Sequence, residues 1–422
     1  MTPMKDMPYH SGIKFRAYFS TEQQRIADAN LGAARFIYNR LVSWNDELYL
    51  MRKTVAFVPA YNDRIAFLSE AVKSAFGMKA AVPFLNGKDI DSLMIDNVFA
   101  NYRKAWERFM EVPGTGKPSA HKFSYDGSYQ TNPHYRKDGT YLNDGNVKLL
   151  DKHHLQVPIL GRVKISGSDA RIQWLIDHMD STRFGTITVS VDSVGRYFIS
   201  VQLGSMVPFT DKLPSTGKAV GIDMNVENFC ADSDGVIVDS PKYRRDIQRK
   251  LSKLQRGEAR RCAKAKSDGR KLKSARNYQK ARKRAALLQM KAAGRREQFQ
   301  DEVSKRYIVE NDIIVTEDLK VKNLLKNHCL AFSIADQAWG SFFEKLVRKA
   351  AMYGRIYIKV PPHYTTQTCN VCGYVMKEEN SLDLSIREWT CPSCGTHHIR
   401  DINAAKTILR KGLAILHQQE AA

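Results

Sequence analysis

Between His363 and Leu409 the chain carries two Cys-x-x-Cys knuckles, Cys369/Cys372 and Cys391/Cys394, with 18 residues between them. Four thiolates in two tight pairs suit one tetrahedral zinc ion, because each turn presents two sulfurs to the same metal. The glycine that follows each knuckle, Gly373 or Gly395, fits the same pattern. A pair of redox thiols, or of merely buried ones, is the alternative. With four protein ligands no coordination position stays open for a substrate, so the zinc would be structural. Such a module does no chemistry itself and is an insertion in something larger. Just past the second knuckle, Asp401 stands at the head of a helical pattern.

What surrounds the insertion is strongly basic. Lys and Arg total 66 against 44 acids in 422 residues, a formal charge of +22, which points to a polyanionic partner. A membrane surface would also attract such a charge, but no apolar run approaches the ~18 residues a span needs. The N-terminal MTPMKDMPYH lacks the apolar core of a secretory signal. Cys230, Cys262 and Cys329 are scattered singly, as in a reducing cytosol. The expectation is a cytoplasmic nucleic-acid binder of two to four domains.

Residues 12–19 alternate as a strand, with Ile13, Phe15, Ala17 and Phe19 on one face. Ser20-Thr21-Glu22-Gln23 offers a capping box for a helix with Ile26, Ala33, Ile37, Leu41, Trp44 and Leu48 at helical spacing. Helical patterns follow at about 61–76 and 90–110, the latter with Ile95, Val98, Phe99, Tyr102, Trp106 and Phe109 as core. Pro113 to Ser119 then breaks the helix. Its Gly116-Lys117 pair fails the phosphate-loop spacing and follows a helix, so it is a basic linker. From Tyr141 to Leu203 short strands alternate with turns, including Leu155, Val157 and Ile159, and suggest a small β-barrel interrupted by the helical block.

After the polar linker at 212–217, a strand ends at Asp223 and a hairpin partner follows. Residues 242–296 hold 22 Lys or Arg against Asp246, Glu258 and Asp268, a local net charge of +19. This helix-permissive run, with Gly257 and Gly269 as breaks, repels itself unless phosphates neutralise it. A strand in Arg306–Leu319 ends near Glu317, an amphipathic helix spans Ser333–Met352, a strand spans Arg355–Val360, and Asp401–Leu416 closes as a helix.

Asp223, Glu317 and Asp401 thus occupy comparable places: two strand ends and a helix start. Converging carboxylates repel and retain protons unless divalent cations lie between them. Hard oxygen ligands suit magnesium, and two ions about 3.5–4 Å apart would clamp a phosphodiester. Each acid also has a plain explanation: a turn residue, a solvated charge and an N-cap respectively. Spacing alone leaves both open.

Val220-Gly-Ile-Asp223, Val315-Thr-Glu-Asp-Leu319, Tyr364-Thr-Thr-Gln-Thr-Cys369-Asn-Val-Cys372-Gly and Arg400-Asp401-Ile-Asn403-Ala-Ala resemble the RuvC segments and zinc ribbon of TnpB, the transposon-associated RNA-guided nuclease, and of the compact type V CRISPR effectors. Ile13-Lys-Phe-Arg16, Arg35-Phe-Ile-Tyr-Asn39, Lys122-Phe123 and Leu160-Gly161 are similar to that family's N-terminal half, while Gly116–Lys122 matches its Pro/Lys-rich motif only loosely. The resemblance implies an α+β multidomain chain. It would comprise a wedge-like β-barrel (1–19, 124–211), a helical recognition domain (20–123), an RNase H-like RuvC nuclease domain (212–368, 395–422) and an inserted four-cysteine zinc ribbon (369–394). It implies a guide RNA, double-stranded target DNA with a displaced strand, and a prokaryotic, nucleoid-associated setting. Asp223, Glu317 and Asp401 carry over as catalytic magnesium ligands, and Cys369, Cys372, Cys391 and Cys394 as structural zinc ligands. Arg400 is a candidate phosphate contact or a surface salt-bridge residue. Asn403 is a candidate substrate-orienting residue or a first-turn hydrogen bonder. The competing expectations are a nuclease-silent, RNA-guided repressor and a guide-free RNase H-like nuclease or resolvase.

Overall fold

The computed structural model describes residues 4–55, 57–133, 146–376 and 386–420, which divide into two units, Met1–Phe209 and Thr210–Ala422. In the first unit, β1 (Tyr9–Tyr18) runs into α1 (Thr21–Thr54). The start of α1 is set by the capping box: Gln23 N–H donates to Ser20 Oγ at 3.2 Å, and Ser20 N–H donates to Gln23 Oε1 at 3.0 Å. Three shorter helices follow: α2 (Asn62–Lys73), α3 (Ala75–Ala81) and α4 (Ser92–Glu111). The single helix expected at 61–76 is broken at Ser74, whose extended backbone and hydroxyl cap α3 through the Gly77 N–H.

The remaining strands of this unit are β2 (Gly127–Thr131), β3 (Lys148–Asp151), β4 (His154–Val157), β5 (Gly161–Ser166), β6 (Thr182–Val191) and β7 (Tyr197–Ser205). They join β1 in one seven-stranded sheet, ordered β2-β6-β7-β1-β5-β4-β3. Ile13, Phe15 and Ala17 of β1 face the core with Ile37, Leu41 and Ile95 of the helices. Two expectations need correction. Ile159 is not strand: it lies exposed in the β4–β5 turn at φ 62°, spanned by the Leu160 N–H donating to the Pro158 carbonyl at 2.7 Å. A short helix, α5 (Asp169–Asp177), sits where only strands were expected, burying Ile172 and Leu175. The start of that strand pattern, Tyr141 to Gly145, lies outside the described residues.

The second unit is built on a five-stranded sheet. β8 (Ala219–Met224), β9 (Cys230–Asp232) and β10 (Ile237–Val238) form a meander. α6 (Tyr243–Ser267) and α7 (Arg276–Glu310) then lead to β11 (Ile313–Glu317). α8 (Val321–Leu324), α9 (Ala331–Gln337) and α10 (Trp339–Tyr353) precede β12 (Ile356–Val360). The order is β10-β9-β8-β11-β12, with β8, β11 and β12 mutually parallel, as the long crossovers demand. A two-stranded ribbon, β13 (Glu388–Thr390) with β14 (His397–Ile399), runs directly into α11 (Arg400–Glu420).

Three boundaries differ from the sequence expectation. Gly257 does not break the basic run; it is buried inside α6, and the break comes at Gly269, whose φ of +66° suits a residue without a Cβ. Arg306 belongs to α7. The amphipathic helix expected at 333–352 is two helices, because Ala338 takes a left-handed conformation at φ 51°. That kink is pinned by the buried Gln300 amide, which donates to the Gln337 and Ala338 carbonyls at 2.7 and 3.1 Å.

α11 lies flush against the sheet because two glycines remove the side chains that would hold it off. A Cβ on Gly221 of β8 would fall 2.2 Å from the Ala405 carbonyl oxygen and 2.7 Å from Leu409 N. A Cβ on Gly412 of α11 would fall 2.5 Å from both methyls of Val315 in β11. Asp401, Ala405 and Leu409 are successive turns of one helix face. The close approach at Gly221 therefore fixes where Asp401 stands.

Candidate active site and metal centre

Thr316 of β11 pairs with Ile222 of β8 in parallel register. One step on, Glu317 and Asp223 stand level on adjoining strands, about 4.8 Å apart along the hydrogen-bonding direction. Two residues along β8 from Gly221 is about 6.6 Å, and one turn back along α11 from Ala405 is about 6 Å. Asp401 thus arrives beside Asp223. Asp223 and Glu317 are buried, and Asp401 keeps 13% of its side chain exposed.

Each of the outer two acids is held by a partner. Asn225 Nδ2 donates to Asp401 Oδ2, and Thr365 Oγ1 donates to Glu317 Oε1. The electrostatics follow from the crowding. Burial, then Glu317, then Asp401 hold the Asp223 carboxyl well above the usual carboxylate range, with Arg400 opposing them. Glu317 is also raised by burial, against the Thr365 hydrogen bond and the Lys411 charge. Such a set keeps a proton or takes up a cation. Its donors are hard oxygens, which fit magnesium. The three carboxylates are spread more widely than a single-ion cage. Among the described residues, only the four cysteines bring three or more donor atoms all within 4.8 Å of one another.

Those cysteines are the second centre. Cys369 Sγ lies 3.7 Å from Cys394 Sγ, and Cys372 Sγ lies 3.6 Å from Cys391 Sγ. A tetrahedron with Zn–S bonds of about 2.3 Å has edges of about 3.8 Å, so the sulfurs fit one zinc ion. Gly373 and Gly395, both at positive φ, close the two knuckle turns. His398, buried against Trp389, places Nε2 3.1 Å from Cys369 Sγ.

Sequence reasoning missed several residues around the acids. Arg387, at the foot of β13, pairs with Glu227 at 2.5 Å and lies 3.9 Å from Asp401. Nothing local in the sequence marks it, because its neighbours come from distant segments. Thr365 stands inside the Tyr364-Thr-Thr-Gln-Thr motif, and Asn225 two residues past Asp223, so adjacency to named motifs was the available signal. Asn403 is buried with its amide spent: Oδ1 accepts from Asn370 N–H at 2.9 Å, and Nδ2 donates to the Thr368 carbonyl at 2.8 Å. It therefore ties the first turn of α11 to the first knuckle and does not face a substrate. One Arg400 nitrogen donates to the Ile386 carbonyl at 3.3 Å.

Three family models match the chain. A "Helix-turn-helix domain" covers residues 7–54, which here are β1 and α1; a "Probable transposase" covers 198–328; and "Cas12f1-like, TNB domain" covers 339–408. A Streptomyces pristinaespiralis protein named as an RNA-guided DNA endonuclease is 28% identical over 412 residues, 95% of this chain and 89% of its own length. InsQ of Escherichia coli K12, also named as an RNA-guided DNA endonuclease, is 32% identical over 245 residues, 54% of this chain and 57% of its own. Cas12f1 in its complex with single-guide RNA and target DNA superposes at a TM-score of 0.49 and 15% identity, covering 95% of this chain and 98% of that one. Matched by family models in both of its units and by a relative along nearly its whole length, the chain is similar to the TnpB-like RNA-guided nucleases and to the Cas12f1 effectors.

Proposed function

We propose that the chain is an RNA-guided DNA endonuclease in which Asp223, Glu317 and Asp401 hold catalytic magnesium. The observation that carries this reading is the convergence of two level strand ends and one helix start at a single sheet edge. The names of the two relatives agree with it. Bound there, a pair of such ions would lower the pKa of an attacking water and stabilise the departing oxygen of a phosphodiester. The chain's own residues set the geometry. Asn225 orients Asp401, Thr365 orients Glu317, and the half-exposed Arg387 offers a cation toward an incoming phosphate.

On this reading the five-stranded sheet with α11 is the RuvC-like, RNase H-like domain (212–368, 395–422). Residues 369–394 are its structural zinc ribbon, closed by Cys369, Cys372, Cys391 and Cys394. The seven-stranded sheet is the wedge-like barrel (1–19, 124–211), and α1–α4 belong to the recognition domain (20–123). Guide pairing reads the target, the basic surface grips the heteroduplex backbone, and the displaced strand enters the carboxylate edge. Among the described residues no helix is long and apolar enough to cross a membrane.

Asp223→Asn tests the assignment, because it keeps the shape and removes the charge. Guide RNA binding is expected at the wild-type level, with metal-dependent plasmid cleavage lost. Cleavage at the wild-type rate would sink the site. Wild-type protein that binds its guide and never cuts would support a repressor, and RNA-free protein that cuts would support a guide-free nuclease.

A further inference from the structure

In the first unit, Gly32, Arg35, Phe36, Asn39, Arg40 and Ser43 of α1 line an open groove of about 590 Å³, with Ala120 on its opposite wall. That wall is the basic linker after α4. It is stitched to α1 by one amide: Asn39 Nδ2 donates to the His121 carbonyl at 3.0 Å, and Asn39 Oδ1 accepts from the His121 N–H at 2.7 Å. The His121 ring also packs 4.2 Å from the Tyr38 ring. The linker is thereby a fixed wall.

The two arginines in this groove are held by their faces. The Arg35 guanidinium lies 4.9 Å over the Phe123 ring, and that of Arg40 lies 5.1 and 5.5 Å over Phe36 and Trp44. A guanidinium stacked this way keeps its N–H edge for an anion. The nearby acids of α1 are committed elsewhere, Asp46 to Lys117 and Glu47 to Arg64. Among the described residues neither Arg35 nor Arg40 has a carboxylate partner. Two oriented cations along one groove call for a bridging anion, and the chain's +22 charge and the proposed nucleic-acid function make that anion a phosphodiester.

We infer that this groove binds the backbone of a nucleic-acid strand, with Arg35 and Arg40 as its phosphate contacts. The inference rests on the nucleic-acid reading above but not on the carboxylate edge. Asn39, the one amide among the described residues that line the groove, has both polar atoms occupied by His121 and is not free to read a base edge, while Arg35 and Arg40 are assigned to phosphates. Binding there is independent of base sequence.

The test measures salt-dependent affinity of full-length protein for short labelled single strands of two unrelated sequences, each made as RNA and as DNA. Each single-strand phosphate contact contributes about 0.7 to the slope of log K against log salt. Arg35→Gln with Arg40→Gln is expected to lower that slope by about 1.4. Between about 50 and 200 mM salt the wild type would then lose about sevenfold more affinity than the double variant. Arg25→Gln with Arg64→Gln removes the same charge from paired arginines and is expected to leave the slope unchanged. Arg35→Lys with Arg40→Lys is expected to restore it. A fall in the RNA arm, the DNA arm or both identifies the strand and supports the groove. An unchanged slope, an equal fall in the Arg25/Arg64 control, or a fall limited to one sequence overturns it. If the slope falls while wild-type protein cuts nothing, the nuclease reading fails alone. If it cuts and the slope is unchanged, the groove fails alone.

Discussion

Gly221→Ala isolates the contact that seats α11 on the sheet. The new methyl carbon would stand 2.2 Å from the Ala405 carbonyl oxygen, 2.7 Å from Leu409 N and 2.9 Å from Leu409 Cβ. Two of the three are backbone atoms, so no rotamer change relieves them. Reaching an ordinary 3.4 Å contact with the oxygen requires α11 to retreat by about 1.2 Å. Overpacking of this kind costs about 1–3 kcal/mol, and a clash with backbone belongs at the upper end. For a unit of this size about 3 kcal/mol lowers the melting temperature by about 6–12 °C. The displaced helix carries Asp401 with it, and a misplacement of about 1 Å lowers a reaction rate roughly a hundredfold. Circular-dichroism melting and single-turnover cleavage at saturating magnesium measure the two effects, while guide binding is expected to persist. A Gly221→Ala protein with wild-type melting and cleavage would refute both the tight seating and its link to Asp401.

Further outcomes are expected elsewhere. Thr365→Val preserves shape but removes the hydrogen bond to Glu317; bonds to charged groups contribute about 1.5–3 kcal/mol, so single-turnover cleavage should fall about 10–150-fold, and an unchanged rate would dismiss Thr365 as a positioning residue. Cys391→Ser should lose zinc by elemental analysis, and cleavage with it because Asn403 ties α11 to the first knuckle; a full zinc complement would count against the ligand set. Burial pushes the Asp301 carboxyl up, but Lys345 and Lys349 outweigh it and leave the pKa lowered. A depressed folded pKa gives stability present above about pH 4 and lost as pH falls through the folded value. The melting difference between wild type and Asp301→Asn should therefore shrink between about pH 5 and pH 3, and a gap that widens on acidification would contradict the pairing.

Local chemistry was legible in the sequence where one segment carries it alone. The Ser20–Gln23 box marks the start of α1, the two knuckles announce four clustered sulfurs, and Glu317 closes β11 as its apolar run indicates. What stayed hidden depends on partners far along the chain. Ala338 is a good helix former, yet its left-handed turn is imposed by Gln300, 38 residues earlier. Gly257 has the composition of a break but is buried within α6. Asn403 fits either a substrate contact or a first-turn hydrogen bond in the sequence; its burial beside Thr368 and Asn370 decides. The level register of Asp223 and Glu317 arises from parallel pairing across a long crossover, which no periodicity encodes.

The seating of α11 on β8 has a bearing on how the protein is made. The two strand acids leave the ribosome well before the helix that completes their company, since domains form in order of synthesis. On the proposed reading, a nascent chain would carry its basic helices before its hydrolytic edge is complete. Any product of translation that stops short of residue 400 would keep the basic helices and the groove on α1 while lacking Asp401. On the proposed reading it would bind nucleic acid without cutting it.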